Sequence, residues 1–70
     1  MNAEEWVQHF AREIGVDAPS PEDFDAVLRL AAAAAHSSER TAAPVASWLA
    51  GQAGRPIAEL AEIAQELEAD

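Results

Sequence analysis

Five consecutive alanines, Ala31 to Ala35, constrain what this chain can fold into more than any other feature. Each alanine removes little apolar surface from water, so the run contributes high helix propensity and small size in place of burial. Methyl-sized residues on every face let neighbouring helices come close. The large apolar anchors must then come from the elements packed against the run, and Trp6, Phe10, Trp48, Leu49 and Leu60 are the side chains of that size. A helix start signal upstream and a regular Phe24/Leu28 spacing argue that the run is ordered helix rather than low-complexity filler.

Four helices are predicted. In "NAEEWVQHFAREIG", Asn2 caps with Glu5 at N3, and Gly15 stands where a left-handed residue ends a helix. Trp6, Phe10, Ile14, Val7 and Ala3 fall in one arc at helical spacing and are expected to face the core. In the second segment Ser20 is the N-cap and Pro21 takes N1, with acids in the first turn. There Phe24, Leu28, Ala31 and Ala35 form a seam that Val27, Leu30 and Ala34 widen on one side. A third helix starts at Thr41 or Ala43 with Pro44 near N1, and Val45, Trp48, Leu49, Gln52 and Ala53 share a face. Gly51 either stops that helix near Ala50 or lets another backbone come close beside Trp48. The fourth restarts at Pro56, with Ile57, Leu60, Ile63, Ala64 and Leu67 as its apolar stripe; Glu66, Glu68 and Asp70 crowd its negative end, so its last turn is expected to fray. With no strand pattern and no linker, the chain is expected to be all-α, a compact bundle of four short helices forming one domain over residues 1–70.

Size and charge narrow the function classes. A 70-residue chain buries only about 60% of the surface that its unfolded form exposes, and small domains without cysteines often gain stability by docking or self-association. The sequence contains no Cys, which removes disulfides and thiolate metal sites and suits a reducing, cytoplasmic setting. The acidic start "MNAEEW" is unlike a basic secretory leader, and no apolar run reaches membrane-span length. Thirteen carboxylates against four arginines and no lysine give a net charge of −9. That field repels nucleic-acid phosphates and anionic headgroups, so neither nucleic acid nor membrane is an expected partner. It serves solubility, or it attracts a basic protein.

Catalytic patterns are sparse. His36, Ser37 and Glu39 have the residue types of a hydrolytic triad, but triads are assembled from separate parts of a fold with a third group holding the base, and adjacency does not provide that. His9 lies one helical turn from Glu5 and from Glu13, where surface pairing accounts for it. No zinc-ligand spacing and no phosphate-binding glycine loop occurs. No catalytic, cofactor-binding or metal-binding residue is assigned, and the chain is expected to be non-enzymatic. The segment "HSSER", residues 36–40, has two readings. It is a solvated connection in which His36 caps a helix end, the serines satisfy backbone groups and Arg40 pairs with an acid; or it is a polar binding patch beside Trp48. His36, Arg40 and Trp48 are the candidate interaction residues, and helical phase makes His36 accessible.

The segment "LAAAAAHSSERTAAPVASWLAG", together with the opening "EEWVQHFAREIGV", resembles a small actinobacterial family of uncharacterised domains. Members stand alone or are joined to the C-terminus of nucleotidyltransferases similar to the molybdenum-cofactor guanylyltransferase, which attaches GMP to molybdopterin. The matching positions are Trp6, Ala35, His36, Arg40, Ala43, Pro44, Leu49 and Gly51. The resemblance implies an accessory or protein-interaction domain associated with molybdopterin-guanine dinucleotide biosynthesis, with such a nucleotidyltransferase as partner and no transferable catalytic residues. Two alternatives are a self-associating homodimer that covers leftover apolar surface and an acidic domain that binds a basic protein.

Overall fold

The structure, a computed structural model, describes residues 1–69. They form α1 (Ala3–Ile14), α2 (Pro21–Ser37), α3 (Ala42–Ala53) and α4 (Ile57–Ala69), with no strand among the described residues. The all-α, four-helix expectation holds. The helix ends follow local chemistry closely. Asn2 Oδ1 accepts the Glu5 N–H at 2.8 Å while Glu5 Oε1 accepts the Asn2 N–H at 3.2 Å, closing a capping box. Gly15 ends α1 at φ 78°, and the N–H groups of Gly15 and Val16 donate back to Arg12 and Ala11. This is a paired reverse bond that a left-handed residue makes available. Ser20 Oγ accepts the Asp23 N–H at 3.1 Å, and Pro21 opens α2 as expected.

The centre is made of small residues. Ala26 and Leu30 of α2, Ala50 of α3 and Ala61 of α4 form the buried cluster, with Ala46, Ile57, Leu60 and Ala64 packed half-buried against it. Ala33 is buried as well, and no large side chain is fully enclosed. α2 packs chiefly on α4 and on α3, while α3 and α4 touch only slightly. Methyl groups at the contacts permit this closeness.

Several expected faces are therefore turned. On α2 the shift is partial: Leu30 of the expected face is buried and Phe24, Val27, Ala31, Ala34 and Ala35 are half-buried, but Ala26 and Ala33 join Leu30 as the buried residues and Leu28 is exposed. Phe24 and Leu28, the two large residues of the anticipated seam, line the gap toward α1 instead. On α4, Ile57, Leu60 and Ala64 of the stripe pack inward, but Ala61 is the fully buried residue and Leu67 is exposed. α4 extends to Ala69, and Asp70 lies outside the described residues.

The α1 expectation fails more completely. Trp6, Phe10, Ile14 and Ala3 are exposed, and only Val7 is half-buried. No Cα of α1 comes within 8 Å of a Cα in the other helices. Val7 lines the gap toward α2 and Ala11 is the one buried residue of the helix; both sit at one edge of the apolar arc, and the rest of the arc faces out. α3 likewise differs. It runs through Gly51 to Gly54, whose φ of 69° ends it, and nothing lies within 4 Å of a Cβ built on Gly51. Neither anticipated role of Gly51 within this chain is met, because flanking helix formers carry the helix past it.

The molecule measures 38 × 24 × 18 Å and exposes 5250 Å². A compact monomer of 7.4 kDa exposes about 4,200 Å².

Enlarging the alanine contact is expected to be costly. Ala61→Leu should destabilise the domain by about 1–3 kcal/mol through overpacking, read as a lower melting temperature at low micromolar protein. Gly51→Ala should act oppositely, gaining about 0.5–1 kcal/mol of helix propensity in open space. Gly54→Ala, by contrast, should lose stability because of its left-handed backbone.

Candidate functional site

The polar segment at residues 36–40 is a tight connector whose own backbone closes two helix ends. Ser37 Oγ donates to the Ala33 carbonyl at 2.7 Å, and the Ser38 N–H donates to Ala34 at 3.1 Å. On the other side, the Ala42 and Ala43 N–H groups donate to the Glu39 and Arg40 carbonyls. Thr41 provides no side-chain cap to α3. Backbone carbonyls thus satisfy amides that a capping side-chain oxygen serves in α1 and α2.

His36 ends α2 and meets the end of α4, with Nδ1 3.1 Å from Glu68 Oε2. The two helices run in the same direction, and their negative ends converge at this imidazole. Arg29 and Asp25, one turn apart on α2, pair with each other at 3.3 Å. Glu68, 32 residues from His36, could be identified only from the packing. His36 is exposed as expected. Ser37 makes its bond to the helix backbone, so the triad-like residue types are not linked to one another. His9 makes no ion pair with Glu5 or Glu13 among the described residues; Glu5 is held by the α1 cap instead.

Arg40 is exposed and forms no ion pair among the described residues, which corrects the expected salt bridge. Trp48 lies on the outer side of α3, 64% exposed, with Leu49 at 58% and Val45 at 59%. No hydrogen bond or ion pair among the described residues joins His36, Arg40 and Trp48 into one cluster. A second apolar feature lies on α1, where Trp6 and Phe10 stack with ring centroids 5.1 Å apart and remain 55% and 50% exposed. Ile14 extends the ridge by one turn.

Between α1 and the start of α2 lies an open cleft of about 340 Å³, with Val7, Phe24 and Leu28 on its walls and Glu4 and Asp25 among its polar residues. None of His36, Arg40 or Trp48 lines it. The cleft had a sequence signal: the Phe24/Leu28 seam is real but faces α1 across a gap. No group of three or more residues able to hold a metal ion occurs among the described residues, and none of the described helices is long and apolar enough to cross a membrane.

A family model described as a domain of unknown function (DUF6457) matches residues 1–70. The chain belongs to that family. No curated protein and no solved structure matches it.

Removal of Arg40 should be nearly silent for folding. Arg40→Ala is expected to shift stability by less than about 0.5 kcal/mol, the range of surface substitutions without a specific partner. His36→Ala should cost about 1 kcal/mol or less, as for loss of an exposed hydrogen bond. Thermal melts of both variants check this; a much larger loss for Arg40 would restore a structural role.

Proposed function

We propose that this DUF6457 domain is a non-enzymatic accessory module that acts by protein–protein contact, in association with molybdopterin-guanine dinucleotide biosynthesis. One observation carries the interaction reading: alanines fill the interior while Trp6, Phe10, Trp48 and Leu49 stand outside. Tryptophan is among the residue types that dominate binding energy at interfaces, and side chains of this size contribute little to a monomer that leaves them half in water.

The two apolar surfaces differ in charge. The α1 ridge shares its helix with Glu4, Glu5 and Glu13, against Arg12 alone. Such a face suits another protein that has an apolar centre and a basic rim, since complementary charges speed encounter and set orientation. The link to molybdenum-cofactor chemistry rests on the resemblance of the Trp6 helix and the His36–Gly51 segment to domains joined to guanylyltransferase-like enzymes.

The test is direct binding of the 70-residue chain to the purified guanylyltransferase of the same organism. Binding is expected, with weakening at higher salt and at least about thirtyfold loss in Trp6→Ser/Phe10→Ser, as for removal of a binding hot spot. Absence of binding removes the molybdenum link. Turnover of a nucleotide or pterin by the isolated chain, abolished by His36→Ala, removes the non-enzymatic reading.

A further inference from the structure

The outer face of α3 is unusual in a chain so acidic. From residue 41 to residue 54, between Arg40 and Arg55, there is no charged side chain at all, although the whole chain carries −9. α3 sets Ala46 and Ala50 inward, yet its opposite side presents Val45, Trp48 and Leu49, each more than half exposed. A helix that is apolar on both sides is ordinarily covered on both sides. Here only α2 and, slightly, α4 cover it.

We infer that the occupant of this face is a second copy of the chain, with α3 packed against α3 about a two-fold axis through Trp48 and Leu49. The inference rests on the reading of the domain as a module that works by protein contact and names the partner of one of its faces. Charge selects the occupant. A basic protein finds no carboxylate on α3 to meet, so burying its cations there costs desolvation without compensation. A second copy brings an equally uncharged face, and a two-fold interface needs only self-complementarity. The whole molecule exposes 5250 Å², about 1,000 Å² more than a compact monomer of this mass, an excess that the α3 face shares with the α1 ridge.

The acidic residues lie on α1, α2 and α4 and in the connections, so they oppose dimerisation only through the ionic atmosphere. This gives self-association a distinctive sign. Added salt screens the repulsion between two −9 bodies and tightens the dimer, whereas a complex with a basic partner loosens.

Sedimentation equilibrium of the full 70-residue chain from about 1 μM to about 1 mM, at about 0.05 M and about 0.5 M NaCl, reads the mass directly. The expected result is a shift from 7.4 kDa to twice that mass, at lower concentration in the higher salt. Trp48→Glu and Leu49→Glu should each weaken the dimer at least about thirtyfold while the helical circular dichroism is retained. Should either variant lose its helicity, Leu49→Cys supplies an independent reading. It introduces the chain's only cysteine at the axis, where two copies come within disulfide reach, and mild oxidation should link two copies through it, whereas Glu13→Cys on α1 should not link. A monomer throughout the concentration range at both salts overturns the inference, as does a dimer that survives Trp48→Glu and Leu49→Glu in folded protein, or one linked through Glu13→Cys but not Leu49→Cys. A chain that stays monomeric yet binds the guanylyltransferase overturns this inference alone and leaves the proposed function standing.

Discussion

The close approach of α2 to α4 and α3 over methyl groups is the contact on which the other features depend. Ala26 and Ala33 on α2, Ala50 on α3 and Ala61 on α4 are buried, and each occupies about the smallest volume a side chain can take. Helices brought together over alanine gain dispersion and backbone proximity in place of a bulky hydrophobic fill. Leu30 is the one large residue in the buried cluster, with Ile57 and Leu60 at its margin. No aromatic side chain belongs to the buried cluster: Trp6, Phe10 and Trp48 are exposed and Phe24 is half-buried.

Element ends were legible in the sequence because they are decided within a few residues. Asn2 with Glu5, Ser20 with Pro21, and Gly15 each act through a neighbour no more than about four positions away, and all three behave as read. Faces were less legible. A periodicity reading weights large apolar residues, and in this chain those are the residues turned out; Ala26, Ala33 and Ala61 give almost no amphipathic signal. The α1 arc of Trp6, Phe10 and Ile14 is a correct periodicity on a helix that stands too far from the others to bury it. His36 was singled out as accessible, but its partner Glu68 is set by the common direction of α2 and α4, which no local pattern encodes. All three candidate interaction residues are exposed, and the lack of charge around Trp48 is plain in the sequence from residue 41 to residue 54.

The segment after the alanine run illustrates how one connection can fill several needs without a dedicated residue for each. The carbonyls of Glu39 and Arg40 take the first free amides of α3, and the Ser37 hydroxyl returns to its own helix. His36 spans to Glu68 where two helix ends meet. The side chains of Glu39 and Arg40 take no part in these bonds. A connection closed by its backbone leaves its charged side chains available to other molecules, so the solvated-connection and binding-patch readings of residues 36–40 are compatible: the first describes the backbone, the second the arginine.

Charge partition follows from the same economy of size. A small domain whose interior excludes large residues must place them on its surface, where each apolar face risks indiscriminate association. A net charge of −9 opposes that risk at long range, because copies and other acidic proteins repel before apolar faces touch. The uncharged stretch of α3 escapes the repulsion only at contact distance, and only for a surface that is itself neutral and complementary in shape. On the readings proposed above, the Trp6–Phe10 ridge, on a helix with three carboxylates, suits a surface that is basic around an apolar centre, while the uncharged face of α3 suits a second copy; the acidity would then divide the two exposed apolar faces between different kinds of partner.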